Sequence, residues 1–526
     1  MEESELTLRD LLHRAAHNYP DSEAVADGVF RYTYAQLLDR VQRMAKLLHQ
    51  RGVRKGDRVA LLQPACSAHL IALFGAIELG AIPCALHVRE SESILGAILQ
   101  RLSARVLVCD GAYAHTGRAL QANSAAPLNL VFGASALTPA ATGAVDEPVI
   151  PQCLDQVELD FEPMPLTADD VAVIALSSGT TGIPKGVMHT HRTLTASARC
   201  GALYMLADEH ACTINIFSTA FIGWYNCTLP FICGASRIVY LSQWDPAHYL
   251  QTIEREQATV CFLVPTMWRM LLREQPAAYD LSSLQLVGYA GEPMDLATMT
   301  QIRETVCASV LNTYGTTETG SWGGCTVMLP ADYAGNDKIA SVGRPGEGVE
   351  IRVITPGGST ADALARGDVG EVIISGPSVA SQLWEQPQLS RRVFDGRWWR
   401  SGDLGYLDED GYLYLSGRTD DMIISGGINV LPGPVEAVLL DHPSVIECAV
   451  IGVADDRYGQ TITAFVQCRE PLSERELAEH VAQSSLSSYK KPRRYVFVDE
   501  LPRGNTGKVS RKLLRDKVIK GDVRKR

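Results

Sequence analysis

The most informative stretch of the sequence reads Leu176-Ser177-Ser178-Gly179-Thr180-Thr181-Gly182-Ile183-Pro184-Lys185-Gly186. An apolar run from Val171 to Ala175 comes directly before it and predicts a buried strand. Glycines after a strand let backbone N–H groups turn towards an anion, and hydroxyls and a lysine ammonium add further donors. The stretch therefore predicts a phosphate-binding loop, formed by Ser177, Ser178, Gly179, Thr180, Thr181, Gly182 and Lys185.

The predicted loop differs from a Walker loop. A Walker loop places Gly-Lys-Ser/Thr at the start of a helix, whereas here Pro184 precedes Lys185 and Gly186 follows it. A different nucleotide chemistry is indicated. The alternative is an ordinary surface loop, because Ser, Thr and Gly are also typical of solvated connections.

Length and composition narrow the class of protein. A chain of 526 residues that is 46% hydrophobic can bury several cores, so two or more domains are expected. The formal net charge of -12 disfavours nucleic acid or an anionic membrane as the main partner. The 13 cysteines include no Cys-x-x-Cys pair, which predicts a reducing, cytoplasmic compartment and no disulfide framework or zinc ribbon.

The sequence also predicts neither a secretory signal nor a membrane span. Residues 1–5 are acidic and lack an apolar segment behind them. The longest apolar stretch, from Leu70 to Leu86, is interrupted by Glu78, Gly80 and Pro83, which makes it too short to cross a bilayer.

The order of elements predicts an α/β protein. Leu8–Leu12 and Leu70–Glu78 have helical patterns and Arg58–Leu62 has a strand pattern, while residues 139–165 are rich in Pro, Ala and Gly and indicate a surface connection. After residue 417 the pattern restarts as a small α+β domain. We therefore predict two domains, 1–419 and 420–526. The elements expected in the second are a helix over Val435–Leu440, strands over Glu447–Val453 and Ile462–Gln467, and a helix over Glu474–Val481.

Several further motifs occur in a fixed order along the chain. They are Thr33-Tyr34-Ala35-Gln36-Leu37, Gly56-Asp57-Arg58-Val59, Ala290-Gly291-Glu292-Pro293, Asn312-Thr313-Tyr314-Gly315-Thr316-Thr317-Glu318, Ser401-Gly402-Asp403-Leu404, Gly417-Arg418 and Pro502-Arg503-Gly504-Asn505-Thr506-Gly507-Lys508-Val509-Ser510-Arg511. Together with the phosphate loop, this ordered set resembles the adenylate-forming superfamily of acyl-CoA synthetases, aryl-CoA ligases, adenylation domains and beetle luciferases. The resemblance covers nearly the whole chain. It implies a large N-terminal domain of α/β subdomains and a small mobile α+β C-terminal domain.

The resemblance implies a binding site for ATP. Gly291, Glu292 and Pro293 would lie on one face of adenine, with Asn312, Thr313, Tyr314 and Gly315 on the other. Tyr314 would stack on the base, Thr317 would contact the α-phosphate and Glu318 would bind Mg²⁺, which takes few protein carboxylates. The alternatives are that Tyr314 is a core residue and that Glu318 is a surface acid.

Other roles follow from the same resemblance. Asp403 and Arg418 would hold the ribose, although an ordinary Asp–Arg salt bridge is the alternative. Lys508 would offset negative charge on the α-phosphate, although it also fits one more basic residue among its neighbours. Asp420 matches the hinge between domains, and Gly426 and Gly427 would leave room for the pantetheine arm of CoA.

The implied activity is that of an AMP-forming acyl- or aryl-CoA ligase, with Lys508, Thr317, Glu318 and Lys185 as catalytic residues and ATP, Mg²⁺ and CoA as cofactors and cosubstrates. Activation as acyl-AMP creates a leaving group that a thiol displaces. A stand-alone ligase that loads an acyl carrier protein shares these motifs. A luciferase-like oxygenase has no support beyond the shared scaffold. A non-catalytic nucleotide-binding protein is disfavoured because the charged residues Lys185, Glu318, Asp403, Arg418 and Lys508 are all present. A monomer or homodimer is expected.

The substrate is expected to be an apolar aryl or fatty acid. Where amino-acid-activating relatives have an Asp four residues before a Trp, this chain has Ala220 before Trp224, and residues 214–233 carry no charge. The predicted acyl pocket consists of Phe221, Trp224, Tyr289, Ala290, Gly315 and Trp322. The alternative is that the aromatic rings belong to the core.

Two motifs depart from the pattern of the family. Many members of the family have an aromatic or histidine gate residue in the segment that corresponds to the one near Phe217. This segment contains no histidine here, so the sequence does not identify the gate residue. Pro434 replaces an expected glutamate, but a proline in the first turn is compatible with a helix, so the helix is expected to form.

Overall fold

The computed structural model describes residues 5–137, 149–150, 152–158, 164–177, 183–333, 338–503 and 509–521, without the side chains of residues 149 and 429. Residues 178–182 of the predicted phosphate loop, Lys508, and most of the predicted connection 139–165 lie outside these ranges. The chain divides into two units, Met1–Ile351 with Ile374–Arg400, and Arg352–Ile373 with Ser401–Arg526. The predicted boundary at residues 419 and 420 stays a prediction.

The described residues form α-helices in both units. Those before residue 240 are α1 (Leu8–Asn18), α2 (Tyr34–Gln50), α3 (Ser67–Glu78), α4 (Glu92–Leu102), α5 (Ala114–Ala122), α6 (His191–Tyr204), α7 (Ile222–Asn226) and α8 (Leu229–Cys233). Those that follow are α9 (Pro246–Glu256), α10 (Pro265–Leu272), α11 (Leu296–Thr305), α12 (Pro387–Val393), α13 (Pro432–Leu440), α14 (Glu474–Gln483) and α15 (Arg511–Lys520).

Strands alternate with these helices. The first are β1 (Glu23–Ala26), β2 (Arg31–Thr33), β3 (Arg58–Leu62), β4 (Ile82–Ala85), β5 (Val106–Asp110), β6 (Asn129–Gly133), β7 (Val149–Ile150), β8 (Val171–Ser177) and β9 (Lys185–Thr190). Next come β10 (Cys212–Asn215), β11 (Arg237–Tyr240), β12 (Val260–Leu263), β13 (Leu286–Ala290), β14 (Val310–Tyr314), β15 (Thr326–Met328), β16 (Arg344–Pro345), β17 (Glu350–Ile354) and β18 (Gly370–Ser375). The last are β19 (Gln382–Leu383), β20 (Phe394–Asp395), β21 (Trp398–Leu407), β22 (Leu413–Arg418), β23 (Ile423–Ser425), β24 (Ile428–Val430), β25 (Val445–Asp455), β26 (Gly459–Cys468) and β27 (Arg494–Phe497).

Three sheets of the first unit carry its α/β architecture. The largest has the order β16-β15-β14-β13-β12-β10-β11-β1-β2, and its central strands from β14 to β1 are parallel. A second sheet, β4-β3-β5-β6-β7, is parallel throughout, and the third is the antiparallel set β19-β9-β8. Helices between parallel strands are what such sheets require, so the predicted α/β class is confirmed.

Local sequence explains where key helices begin. Thr7 caps α1 through a reciprocal pair with Asp10, and Thr33 caps α2 in the same way with Gln36. The motif that begins at Thr33 therefore forms the N-terminus of α2. Every residue of α3 is buried, which accounts for the apolar stretch around Leu70 as an internal helix. Among the described residues, no helix is both long enough and apolar enough to cross a membrane.

The second unit contains the predicted small α+β fold. Its sheet has the order β24-β23-β26-β25 with β27 beside β26, and its core includes Val435, Leu439, Val450, Ile462 and Leu477. The predicted elements match α13, β25, β26 and α14. Helix α13 begins at Pro432 and includes Pro434 in its first turn, as expected. The short strands β23 and β24 were not predicted.

Another five-stranded sheet has the order β17-β18-β21-β20, with β22 beside β21. Strands β21 and β22 pair as an antiparallel hairpin across the turn at Gly411. In this register Asp403 lies opposite Arg418, which places the predicted ribose pair on neighbouring strands.

Three buried histidines of the first unit make its stability depend on pH. Burial lowers the pKa of His69 to about 3, and those of His189 and His191 to about 4. In the unfolded chain a histidine titrates near pH 6.5. Below about pH 6.5 the histidines therefore bind protons in the unfolded state but not in the folded state. The free energy of unfolding falls as the pH decreases towards about 4.

We expect the Tm to be lower at about pH 5 than at about pH 7, and the difference to shrink in His191→Asn. The Nδ1 atom of His191 accepts a hydrogen bond from the backbone N–H of Leu8 at 3.3 Å, which an asparagine oxygen can replace. Thermal melts of both proteins at the two pH values test this. Identical pH dependence in wild type and variant would contradict it.

Candidate active site

The predicted phosphate loop joins two paired strands of the first unit. Ser177 ends β8, Lys185 begins β9, and the two residues lie opposite each other in an antiparallel register. The structure therefore places both described ends of the loop side by side. Arg101 supports the second strand by donating from Nη1 to the carbonyl oxygen of Pro184 at 3.1 Å.

The two predicted adenine motifs lie at the carboxyl ends of two neighbouring strands of the large sheet. Strands β13 and β14 are parallel neighbours, with Ala290 opposite Thr313. Gly291 and Gly315 directly follow these strands, so both motifs begin at carboxyl ends, where open α/β sheets bind ligands. Tyr314, at the end of β14, is half-buried.

A hydrogen bond connects the phosphate loop with the second adenine motif. The hydroxyl of Ser177 donates to Oε1 of Glu318 at 3.1 Å, and the backbone N–H of Ala380 donates to the carbonyl oxygen of Glu318 at 2.8 Å. Glu318 is half-buried. This contact places the carboxylate beside the first residue of the predicted phosphate loop, and its binding of a phosphate-bound cation stays a prediction.

These oxygens fit a Mg²⁺ ion that is shared with a nucleotide. One carboxylate and a neighbouring hydroxyl supply hard oxygen ligands, and Mg²⁺ normally completes its coordination with phosphate oxygens and water. Among the described residues there is no group of three or more His, Cys, Asp or Glu side chains that would hold a metal without the nucleotide.

His189 supports this motif, although the sequence analysis did not identify it. Its Nε2 donates to the carbonyl oxygen of Thr317 at 2.8 Å, and its Nδ1 lies 3.3 Å from Oγ1 of Thr193. Thr317 and His189 are 128 residues apart in sequence. A histidine in a strand gives no signal of such a distant partner, so only the structure reveals it.

We expect His189→Leu to lower the rate of ATP-dependent adenylation by about tenfold, because it removes the hydrogen bond that holds Thr317. His189→Gln should restore most of the rate, since its amide nitrogen can donate in place of Nε2. ATP–pyrophosphate exchange measures both variants, with His191→Asn as the control. Equal losses in His189→Leu and His189→Gln would contradict a role for this hydrogen bond.

Glu292 of the first adenine motif has a structural partner. Its carboxylate accepts hydrogen bonds from the N–H of Thr266 at 3.2 Å and from the Thr266 hydroxyl at 2.7 Å. Arg269 lies 3.8 Å from the same oxygen. Glu292 thus satisfies a free N–H group at the start of α10, while Gly291 and Pro293 are exposed beside it.

Three of the six residues predicted for the acyl pocket are inside the core. Trp224, Trp322 and Tyr289 expose 0%, 1% and 2% of their surface. The indole of Trp322 donates to the carbonyl oxygen of Asn226 at 3.1 Å, and the hydroxyl groups of Tyr289 and Tyr333 are 3.2 Å apart. This burial favours the alternative that these three rings are core residues, and the pocket stays a prediction.

The other three predicted pocket residues are partly accessible. Phe221, Ala290 and Gly315 are half-buried, and the ring of Phe221 lies 5.1 Å from that of His87. A Cβ atom at Gly315 would lie 3.2 Å from Cβ of Cys325, so the space there is limited.

In the second unit, the predicted ribose residues pair with each other. Nε of Arg418 lies 3.3 Å from Oδ1 of Asp403, and Nη2 of Arg418 donates to the carbonyl oxygen of Ser401 at 3.2 Å. The alternative salt bridge is therefore present. It also orients the guanidinium of Arg418, whose side chain is 58% exposed.

Gly426 and Gly427 form a two-residue hairpin turn between β23 and β24. Ser425 lies opposite Ile428, and the two glycines have φ values of +60° and +81°. Two residues with positive φ are typical of a type I′ turn, which favours glycine. The glycines thus have a conformational reason for their presence. The predicted hinge residue Asp420 lies in the preceding 3₁₀ turn, Thr419–Asp421.

Two family models and several known proteins match this chain over most of its length. The family model "AMP-binding enzyme" matches residues 12–384, and the model of its C-terminal domain matches residues 434–508. Among curated relatives, a feruloyl-CoA synthase of Amycolatopsis sp. is 33% identical, with 98% of this chain and 97% of the relative covered. A 2-succinylbenzoate–CoA ligase of Geobacillus kaustophilus is 32% identical, with 97% and 98% covered.

Solved structures show the same fold. ATP-bound MatB from Rhodopseudomonas palustris has a TM-score of 0.85 at 26% identity, covering 98% of this chain and 100% of that one. The O-succinylbenzoate CoA synthetase MenE from Bacillus subtilis, in complex with ATP and a magnesium ion, has a TM-score of 0.82 at 26% identity, covering 98% and 100%.

The chain belongs to the AMP-binding enzyme family. The predicted adenylate-forming fold is confirmed, and so is the predicted class of enzyme, an AMP-forming ligase that joins a carboxylic acid to CoA at the expense of ATP. ATP, Mg²⁺ and CoA are confirmed as its cofactors and cosubstrates.

Proposed function

We propose that this enzyme activates an apolar aryl or fatty carboxylic acid and transfers the acyl group to CoA, using the residues assigned above. The observation that supports these assignments best is the hydrogen bond between Ser177 and Glu318, which brings the phosphate loop to the end of β14. Mg²⁺ would be held by Glu318 and would supply charge neutralisation on the phosphates.

In the first half-reaction, a substrate carboxylate oxygen attacks the α-phosphorus, and the bond from that phosphorus to the bridging oxygen breaks to release pyrophosphate. Thr317 and Lys508 bind the α-phosphate in this proposal, and Lys185 with the loop hydroxyls binds the leaving phosphates. In the second half-reaction, the thiol loses its proton, its sulfur attacks the acyl carbon, and the bond to AMP breaks. Asp420 is the proposed hinge between the two steps.

The substrate class follows from charge. Residues 214–233 contain no charged side chain, and Ala220 is buried at the position where an aspartate would pair with an ammonium group. Burying an unpaired ammonium costs several kcal/mol. Amino acids are therefore disfavoured, and benzoate-like, cinnamate-like and medium-chain fatty acids are favoured.

A panel of such acids, assayed for ATP-dependent pyrophosphate release, tests this proposal. α-Amino acids and dicarboxylates serve as controls. We expect release with at least one aryl or fatty acid. A preference for an amino acid would overturn the substrate class, and no release with any acid would favour the non-catalytic alternative.

CoA as the acceptor is supported by a cluster of basic and aromatic side chains beside the Gly426 turn. The guanidiniums of Arg493 and Arg457 lie 4.0 Å and 5.2 Å from the ring centre of Tyr458, and Nη1 of Arg493 donates to Oγ of Ser425 at 3.2 Å. Guanidinium groups suit phosphates, and a ring with a stacked guanidinium suits adenine. These are the two chemical features of the nucleotide end of CoA.

The acceptor is identified by comparing CoA with a phosphopantetheinyl carrier protein after acyl-AMP has formed. We expect faster transfer to CoA, and we expect Arg493→Ala to raise the KM for CoA by about tenfold without changing pyrophosphate release. Faster transfer to the carrier protein, with no effect of Arg493→Ala on CoA, would favour the carrier-loading alternative. None of the 13 cysteines, all of which lie in the described part of the chain, forms a disulfide, which supports the proposed cytoplasmic location. A monomer or homodimer stays a prediction.

A further inference from the structure

A network of four charged side chains lies next to the proposed hinge in the second unit. Arg511 contacts Glu436 through two hydrogen bonds, from Nη2 to Oε2 at 2.5 Å and from Nε to Oε1 at 3.2 Å. Asp421 accepts two hydrogen bonds, on Oδ1 from Nη2 of Arg515 at 2.5 Å and on Oδ2 from Nη1 of Arg511 at 3.4 Å. Two acids and two bases are thus joined, with Arg511 shared between both acids.

The network is partly buried. The side chains of Glu436 and Asp421 expose 11% and 18% of their surface, and those of Arg511 and Arg515 expose 29% and 32%. Ion pairs at such positions are screened less by salt than exposed ones. Removal of one partner leaves a partly buried charge unpaired, so the network resists separation of its elements.

The location of the network connects two segments that the proposed mechanism uses. Asp421 is in the same 3₁₀ turn as the hinge residue Asp420. Arg511 is the first residue of α15, three positions after Lys508. The chain on both sides of residues 504–508 is joined by a bridge between Arg503 and Val509 and by a hydrogen bond from the N–H of Ser510 to Pro502, at 2.8 Å.

These contacts fix the start of α15 against the hinge turn and against α13. Because α15 begins immediately after the segment that carries Lys508, displacement of α15 would also displace the point where that segment ends. The network therefore connects the hinge turn with the first residues of α15, which follow the lysine segment in the sequence.

We propose that Asp421, Glu436, Arg511 and Arg515 are positioning residues that hold the lysine segment relative to the hinge, so that acyl-adenylate formation depends on them and thioester formation does not. This inference rests on the proposed roles of Lys508 and Asp420. The Asp421–Arg515 pair is the better one to test, because Glu436 also accepts a hydrogen bond from the N–H of Val450 at 2.7 Å and so stabilises the fold directly.

The test uses Asp421→Asn and Arg515→Gln in the full-length enzyme, with an acid that the wild type activates. Each half-reaction is measured separately, as pyrophosphate release and as thioester formation from supplied acyl-adenylate. We expect pyrophosphate release to fall by roughly tenfold or more in both variants, as a displaced catalytic group predicts, with thioester formation unchanged. Arg515→Lys keeps the charge and should recover part of the loss.

Two controls separate positioning from general destabilisation. Arg475→Gln removes an exposed pair with Glu479 on α14 and should change neither half-reaction. Hydrogen exchange should become faster in α15 and at residues 419–421 of Asp421→Asn, while β25 and β26 keep their protection.

The outcomes are distinct. Equal losses in both half-reactions, with no recovery in Arg515→Lys, would overturn the positioning role, as would unchanged pyrophosphate release in both Asp421→Asn and Arg515→Gln. A wild type that releases no pyrophosphate, or a Lys508→Ala variant with full activity, would instead overturn the proposed function, and this inference with it.

Discussion

Lys508→Ala is expected to abolish formation of the acyl-adenylate while leaving thioester formation from supplied acyl-adenylate intact. In the proposed mechanism the lysine ammonium offsets negative charge on the α-phosphate only while pyrophosphate leaves. Removing one preorganised charge at a transition state costs on the order of a hundredfold in rate. The loss should therefore appear in pyrophosphate release and be absent from the thiol step.

The control for this experiment is Lys512→Ala. Lys512 is exposed on the first turn of α15 and carries the same charge four positions further along the chain. If Lys508 were only one of several basic residues in this region, both variants would behave alike. Equal losses in both half-reactions of Lys508→Ala would also contradict the assigned role.

Glu318→Gln should reduce pyrophosphate release by at least about a hundredfold at ordinary Mg²⁺ concentration, because the substitution keeps the size of the side chain but removes the proposed metal-binding charge. The hydrogen bond from Ser177 can persist in the variant, since the amide oxygen also accepts. The Mg²⁺ concentration that gives half-maximal activity should increase.

Glu292→Gln is the matched control for Glu318→Gln, because both carboxylates belong to predicted adenine motifs. The carboxylate of Glu292 is held by Thr266 and Arg269, so its variant should lower the Tm slightly and leave the Mg²⁺ dependence unchanged. A titration of activity with Mg²⁺ in the wild type and both variants decides the matter. A Mg²⁺ dependence that shifts equally in the two variants would remove the special role of Glu318.

Much of the fold was predictable because strong local patterns decide it. The strand over Arg58–Leu62 has the predicted bounds, since an apolar run between turn residues leaves little choice. The predicted adenine motifs lie at the carboxyl ends of β13 and β14, where ligand-binding residues of parallel sheets gather. Helix α13 forms despite Pro434, because that residue lies in the first turn of the helix.

Other features depend on contacts that a sequence pattern does not contain. Strands β23 and β24 have three residues each, too few for a period to be recognised. The hydrogen bond between His189 and Thr317 joins distant positions. The burial of Trp224 and Trp322 in the core was also not predictable, since an aromatic residue suits a core and a pocket equally well.

The Gly426–Gly427 turn bears on how variants of the acceptor site should be designed and interpreted. Alanine at either position would impose a left-handed backbone on a residue with a Cβ atom, so a loss of thioester formation there would report strain as well as lost space. Asparagine tolerates this backbone, and Asn-Gly is a preferred pair for such a turn. Gly426→Asn therefore introduces a side chain next to Tyr458 with little strain, and this variant separates the effect of lost space at the proposed acceptor site from the effect of backbone strain.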